Sequence, residues 1–244
     1  MDSQDKIAIV TGGAKRVGAA IVRGLLADGW RVVAHVHRAD DVVPQGAVPA
    51  VADLGAADCA GRIFAVAETL GPVRLLVNNA ARFALDGFGD ASATEFDAHM
   101  AVNARAPMLL IDEFARRHAG GDALIVNITD AKLAAPNPDY LSYTLSKYAL
   151  DGLTRLAARA LGAQGIRVMA IAPALMLPSG AQGVADFAAV HALNPLGRGV
   201  EVDDVVRALL FLVDQPAMTG ETLLIDGGQQ QLALPRDVQF LERK

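Results

Sequence analysis

A phenol and an ammonium four residues apart, Tyr143 and Lys147, are the two groups in this 244-residue chain best placed to move a proton. At that spacing they share one face if the segment is helical. A carboxylate, Asp130, precedes the phenol by thirteen residues, just past the apolar run Ala123–Ile128. Pro136 and Pro138 stand between them and mark a turn. A strand exit, a turn and a helix start can bring all three groups to one sheet edge as a proton-transfer site. Tyr140 is the competing phenol, but Thr144 stands four residues beyond it and brings no ammonium.

The three groups constrain the chemistry. A free tyrosine, with a pKa of about 10, is a poor acid at neutral pH. A nearby Lys147 ammonium favours the phenolate, and a charge that close moves a pKa by about 1–3 units. An ionised Asp130 opposes this and keeps the phenol protonated as a donor. Asp130 also sorts substrates. A carboxylate cannot donate to a ketone oxygen and repels developing alkoxide charge. In C=N reduction the hydride goes to carbon and a proton to nitrogen, and a carboxyl group can accept from ring N–H or amino groups, or deliver a proton. The residues therefore favour reduction of a C=N bond over ketone reduction; the plainer alternative is that Asp130 only caps the next turn.

A reductase needs a hydride source. Thr11-Gly12-Gly13-Ala14-Lys15-Arg16-Val17-Gly18 follows the first apolar run, Ile7–Val10, and precedes a helical pattern. Glycines there let the backbone approach a pyrophosphate, and the helix N-terminus offers unpaired N–H groups. Lys15 and Arg16 read as facing phosphates, or as a solvated loop. After the second apolar run, Arg31–Val36, the chain carries His37 and Arg38 where a carboxylate would bind ribose hydroxyls. Arg38 can fork onto a 2′-phosphate, so the residues favour NADPH over NADH. His35 alternates with Val33 and reads as a satisfied strand residue. Phe83, close behind Asn78-Asn79, suits a platform for a flat heterocycle. His99, His118 and His191 have no partner at metal-ligand spacing, so no metal site is expected.

Elements that could position these groups alternate through the chain. Strands are expected at Ile7–Val10, Arg31–Val36, Val48–Ala52, Val73–Val77, Ala123–Ile128, Ile166–Ile171 and Leu223–Ile225. Helices fall at Gly18–Asp28, Ala56–Leu70, Thr94–His118 (one long helical region), Leu141–Ala163 and Val202–Val213. Continuous apolar strands suit a sheet covered on both faces, and the alternation predicts one Rossmann-type, doubly wound α/β domain over 1–244. Pro178–Arg198 breaks the pattern and reads as a substrate lid. The tail, 229–244, has no clear period; it is expected to pack on a neighbouring subunit or stay loose. A net charge of −5 with scattered basic residues argues against nucleic acid. No apolar run reaches the roughly 18 residues of a membrane helix. Cys59 is the single cysteine, and MDSQDK lacks the start of a signal peptide, so a reducing cytoplasmic setting is expected.

With Thr11–Gly18, Asn78-Asn79-Ala80, Asn103, Tyr143-x-x-x-Lys147 and Asp226-Gly227-Gly228 in register, the chain resembles the short-chain dehydrogenase/reductase family from Lys6 to Gly228. Arg16 in place of a glycine, Asp130 where most members carry serine, His37-Arg38 and Phe83 make it most similar to the pteridine reductase and dihydromonapterin reductase branch. The resemblance implies a homotetramer and NADPH-dependent reduction of a dihydropterin. It implies that Gly12, Lys15, Arg16, Val17 and Gly18 hold the cofactor phosphates and His37 with Arg38 the 2′-phosphate. Asp53, beside Leu54, would bind the adenine amine. Asn79, Ala80, Lys147 and Pro173 would border the nicotinamide end, while Asn103 anchors a water in the relay to Tyr143. Arg16, Phe83, Asp130 and Tyr143 would face the substrate. Ala81, Ala174 and the extra charge of Arg82 depart from the family pattern and bear on the substrate's side chain. The rival readings are an NADPH-linked carbonyl or oxoacyl reductase and a non-catalytic NADPH-binding sensor.

Overall fold

Strands whose residues are all apolar on both faces need cover on both sides, and this chain supplies it. The computed structural model describes residues 6–178, 187 and 190–240. In chain order the main elements are β1 (Ile7–Val10), α1 (Arg16–Ala27), β2 (Arg31–Val36), β3 (Val48–Val51), α2 (Cys59–Glu68) and β4 (Leu75–Asn78). There follow α3 (Ala93–Met100), α4 (Ala106–Arg117), β5 (Ala123–Ile128), α5 (Leu141–Leu161), β6 (Ile166–Pro173), α6 (Val202–Val213) and β7 (Thr222–Ile225). The seven strands form one sheet in the order β3-β2-β1-β4-β5-β6-β7, and every adjacent pair is parallel. The expected doubly wound fold is therefore present.

Alternate residues of each strand feed opposite cores. Ile9, Val33, Leu76, Ile125 and Val168 pack with Phe64 of α2 and Leu110 and Phe114 of α4. Ala8, Val10, Val32, Val77 and Val126 pack with Leu25 of α1 and Leu209 and Leu212 of α6. The sheet order reverses between β1 and β4, which opens a crevice at the carboxyl ends of the strands. The expected site residues other than Asn103 lie in the loops leaving those ends, in the first turn of α1, at the end of β6 or on α5.

The structure redraws one expected helix. The region Thr94–His118 divides into α3, a π-turn at Ala101–Arg105, and α4. Pro107 has no N–H to give the carbonyl of Asn103, four residues back, so the helix widens there.

Candidate active site

α5 has no capping side chain of its own. Tyr140 precedes it in a left-handed conformation (φ 55°). Asp86, from the loop after β4, caps it instead: Oδ1 accepts from Ser142 N (2.9 Å) and Oδ2 from the Ser142 hydroxyl. A carboxylate at a helix N-terminus also meets the positive end of the dipole. The buried stripe of α5 carries Tyr143, Ser146, Lys147, Leu150 and Thr154, so the chemistry sits on the face that packs on the sheet.

On that stripe Tyr143 Oη donates to Asp130 Oδ2 at 2.7 Å, and Asp130 Oδ1 accepts from Lys132 N at 2.8 Å. Lys147 Nζ donates to Ile128 O at 2.7 Å and lies 5.6 Å from the Tyr143 ring centre. Tyr143 is 8% exposed and Lys147 3%. Burial, followed by the charge and hydrogen bond of Asp130, pushes the Tyr143 pKa well above the ordinary tyrosine value. Of the two opposed influences expected, that of Asp130 prevails over that of Lys147, because Asp130 lies in contact with the phenol while Lys147 turns to a backbone carbonyl. Burial also brings Lys147 down to about 8, with Asp130 acting the other way.

These groups line a cleft of about 530 Å³ together with Arg16, Val17, Asn79, Phe83 and Pro173. Phe83 stacks on Tyr140 (centroids 4.3 Å apart, 21°) and meets Tyr143 edge-on at 4.7 Å. Gly12, Lys15, Gly18, His37, Arg38, Asp53, Leu54 and Ala80 follow β1 to β4 outside that cleft, along the crevice. Gly18 is there because a Cβ would stand 2.0 Å from Gly12 O. Arg16, at a position often filled by glycine, has φ 51°, the region that disfavours side chains. Its guanidinium reaches Pro178 O (3.0 Å).

Several expectations change in detail. The Gly12 N–H is taken by His35 Nδ1 (3.1 Å), so Gly12 gives the phosphate site room rather than a donor. Lys15 Nζ pairs with Asp41, whose other oxygen accepts from Arg38 N (3.2 Å) and so shapes the His37-Arg38 turn. Asp53 Oδ1 accepts from Gly55 N (2.8 Å), leaving Oδ2 for an adenine amine. Asn103 is 1% exposed and does not line the cleft. Its side chain accepts from Arg82 N (2.7 Å) and donates to Arg82 O and Ser146 Oγ (both 2.9 Å), so a relay water would need another atom of it. Arg82 is bound to Glu95, which removes its charge from the pocket.

Sequence reasoning missed three positioning residues besides Asp86. Thr11 Oγ1 accepts from Asn79 N (2.9 Å) and Ala80 N (3.0 Å), and so joins the glycine turn to the end of β4. Ser146 Oγ donates to Tyr143 O (2.6 Å) while receiving Asn103. Asn127 accepts from Asn78 (2.8 Å) and donates to Thr154 (2.9 Å), tying β4, β5 and α5 together.

The sequence model of the family described as "Enoyl-(Acyl carrier protein) reductase" matches residues 12–230. Human L-xylulose reductase is 37% identical over 236 residues, covering 90% of this chain and 94% of that protein. Chicken D-erythrulose reductase is 34% identical over 234 residues, covering 91% and 94%. The chain belongs to the short-chain dehydrogenase/reductase family. It is an oxidoreductase of the kind that uses a nicotinamide dinucleotide. Among solved structures, FolM alternative dihydrofolate reductase 1 from Brucella canis, complexed with NADP, superimposes with a TM-score of 0.89. It is 35% identical and covers 95% of this chain and 97% of that one. The Brucella suis protein, also with NADP, gives the same score and identity over 94% and 96%.

In this short-chain reductase the C-terminal segment, as far as Phe240, folds over its own cleft rather than staying loose. Asp226 starts it, accepting from Gly228 N (2.8 Å) and Gln230 N (2.9 Å). Arg236 pairs with Asp139, Asp237 N donates to Asp139 Oδ2 (2.8 Å), and Phe240 stacks on Tyr140 at 5.9 Å. Lys132, nearly buried, lies 3.9 Å from Asp237 and donates to Asp139 O. Arg236→Ala is expected to loosen this wall: KM for the substrate rises several-fold while cofactor affinity stays put, which steady-state kinetics and a binding titration check. Positions 241–244 and most of the expected lid (179–186, 188 and 189) lie outside the described residues. Among the described residues no cluster of metal-ligating side chains occurs and no helix is long and apolar enough to cross a membrane.

Proposed function

We propose that this protein is an NADPH-dependent reductase of a dihydropterin, yielding the tetrahydropterin. The observation that carries the reading is the Tyr143–Asp130 contact. A carboxylate, not a hydroxyl, faces the phenol, and it holds the phenol in its protonated form. Such a pair suits proton delivery to a ring nitrogen, with Asp130 accepting from the amino and N–H edge of a pterin. Phe83, exposed at the cleft on a Tyr140 base, offers a face for the flat ring. The solved structures named as dihydrofolate reductases with NADP add support.

The residues present fit the dinucleotide. The close approach at Gly18, the first-turn N–H groups of α1, and the side chains of Arg16, His37 and Arg38 along the crevice suit a pyrophosphate and a 2′-phosphate. When bound, the nicotinamide supplies the hydride. Lys147 holds the ribose hydroxyls and Tyr143 gives the proton. Arg38→Ala is expected to weaken NADPH binding about 10- to 100-fold, the worth of a charge-assisted hydrogen bond, and to leave NADH binding unchanged in fluorescence titrations.

Stopped-flow oxidation of NADPH with dihydrobiopterin or dihydromonapterin tests the substrate. No turnover with any pterin, beside brisk reduction of ketones, overturns it. The second reading, a carbonyl reductase, draws on the sugar-type relatives, which match at slightly higher identity. The proposal extends to one reductase domain and to a homotetramer, checked by light scattering. It also extends to a cytoplasmic location, in keeping with the single, buried, free Cys59.

A further inference from the structure

The glycine turn rests on a histidine. His35, in β2, is 3% exposed, with Nδ1 3.1 Å from Gly12 N and Nε2 3.1 Å from Ala52 O. An amide N–H can only donate and a carbonyl can only accept. One form of the ring meets both: neutral, with Nε2–H donating to Ala52 and the Nδ1 lone pair accepting from Gly12. The carbonyl of His35 also accepts from Gly13 N at 2.9 Å. One residue thus fixes two consecutive amides of the turn and links it to the segment leaving β3. Gly12 is in turn the residue against which Gly18 and Asn79 close, since Asn79 Nδ2 donates to Thr11 O at 2.9 Å and lies 3.5 Å from Gly12 O.

We propose that His35 is a positioning residue for the dinucleotide, and that its neutral Nε2–H tautomer is required for the turn to bind tightly. Protonation would make Nδ1 a donor aimed at the Gly12 N–H, placing two hydrogens on one line. The turn must then move, and affinity becomes linked to a proton. The ionisable groups around the ring are His37 on the same strand exit, Asp41 after it and Asp53 after β3. Burial lowers the His35 pKa, with His37 acting in the same sense, while the Ala52 contact and the two carboxylates act in the other. The neutral form is therefore the resting one at pH 7, and the loss of affinity lies on the acid side of the ordinary histidine value.

The test uses the full chain and NAD⁺, which has no 2′-phosphate to titrate, in a His37→Gln background that removes the neighbouring imidazole. Calorimetry follows affinity from pH 7.5 to 5. With His35 present, affinity is expected to fall toward acid by up to about tenfold per pH unit below its pKa. In His35→Asn, whose side-chain oxygen can still accept from Gly12 and does not titrate, affinity should hold level with pH; in His35→Leu it should be weak throughout. The ¹⁵N imidazole spectrum at pH 7.5 is expected to place the proton on Nε2. A proton on Nδ1, a pH dependence that persists unchanged in His35→Asn, or full affinity in the leucine variant each overturns the assignment. If the leucine variant fails to fold, the asparagine comparison and the spectrum still decide.

Discussion

Tyr143→Phe is expected to lower turnover by about 10²- to 10⁴-fold, the usual worth of a positioned general acid, while the cofactor still binds. The ring keeps its place in the buried stripe of α5 and its edge contact with Phe83; only the hydroxyl that donates to Asp130 is lost. Single-turnover NADPH oxidation beside a cofactor titration separates the two effects. Wild-type kinetics carry a matching pH signature. Tyr143 stays protonated through the accessible range because its pKa is raised. Lys147 releases its proton near pH 8. The ammonium is the low-pH form, so kcat/KM should fall as pH rises through about 8, on a limb belonging to Lys147 rather than to the phenol. If Tyr143→Phe turned over at the wild-type rate, the phenol would not be the proton donor.

Much of this architecture was legible because it follows from short-range pattern. The apolar runs at Ile7–Val10 and Ala123–Ile128 and the helix at Val202–Val213 stand where periodicity places them, since burial on one or both faces leaves a local trace. The Tyr143/Lys147 face was equally readable from its spacing. What escaped depends on partners far away in sequence. Asp86 caps α5 across 56 positions, and Arg236 reaches Asp139 across 97. A serine inside a helix, like Ser146, gives no sign that it will receive Asn103 from another one. Pro107 did give a sign, yet its effect is a widened turn rather than a break, because the helix on both sides is held by packing. The protonating effect of Asp130 on Tyr143 was readable, but the larger effect of burial was not. Both an ammonium and a carboxylate were within reach by sequence, and only the geometry shows the carboxylate in contact.

The largest change in specificity should come from Asp130→Ser. The carboxylate now accepts from the phenol and from Lys132 N, and a hydroxyl can replace only part of that. Without the negative charge the Tyr143 pKa falls, since Asp130 contributes to its elevation through both charge and hydrogen bond. The new hydroxyl can donate to a carbonyl oxygen, which a carboxylate cannot. Pterin turnover is therefore expected to drop by at least about 10²-fold, and reduction of small ketones to appear or rise. Steady-state assays of both substrate classes with NADPH, on one preparation, give the comparison directly. Cofactor affinity is the internal control, because Asp130 stands at the exit of β5, away from the glycine turn after β1. Should pterin turnover rise instead, Asp130 would be no more than the cap of the 3₁₀ turn Ala131–Ala134 and would not select the substrate.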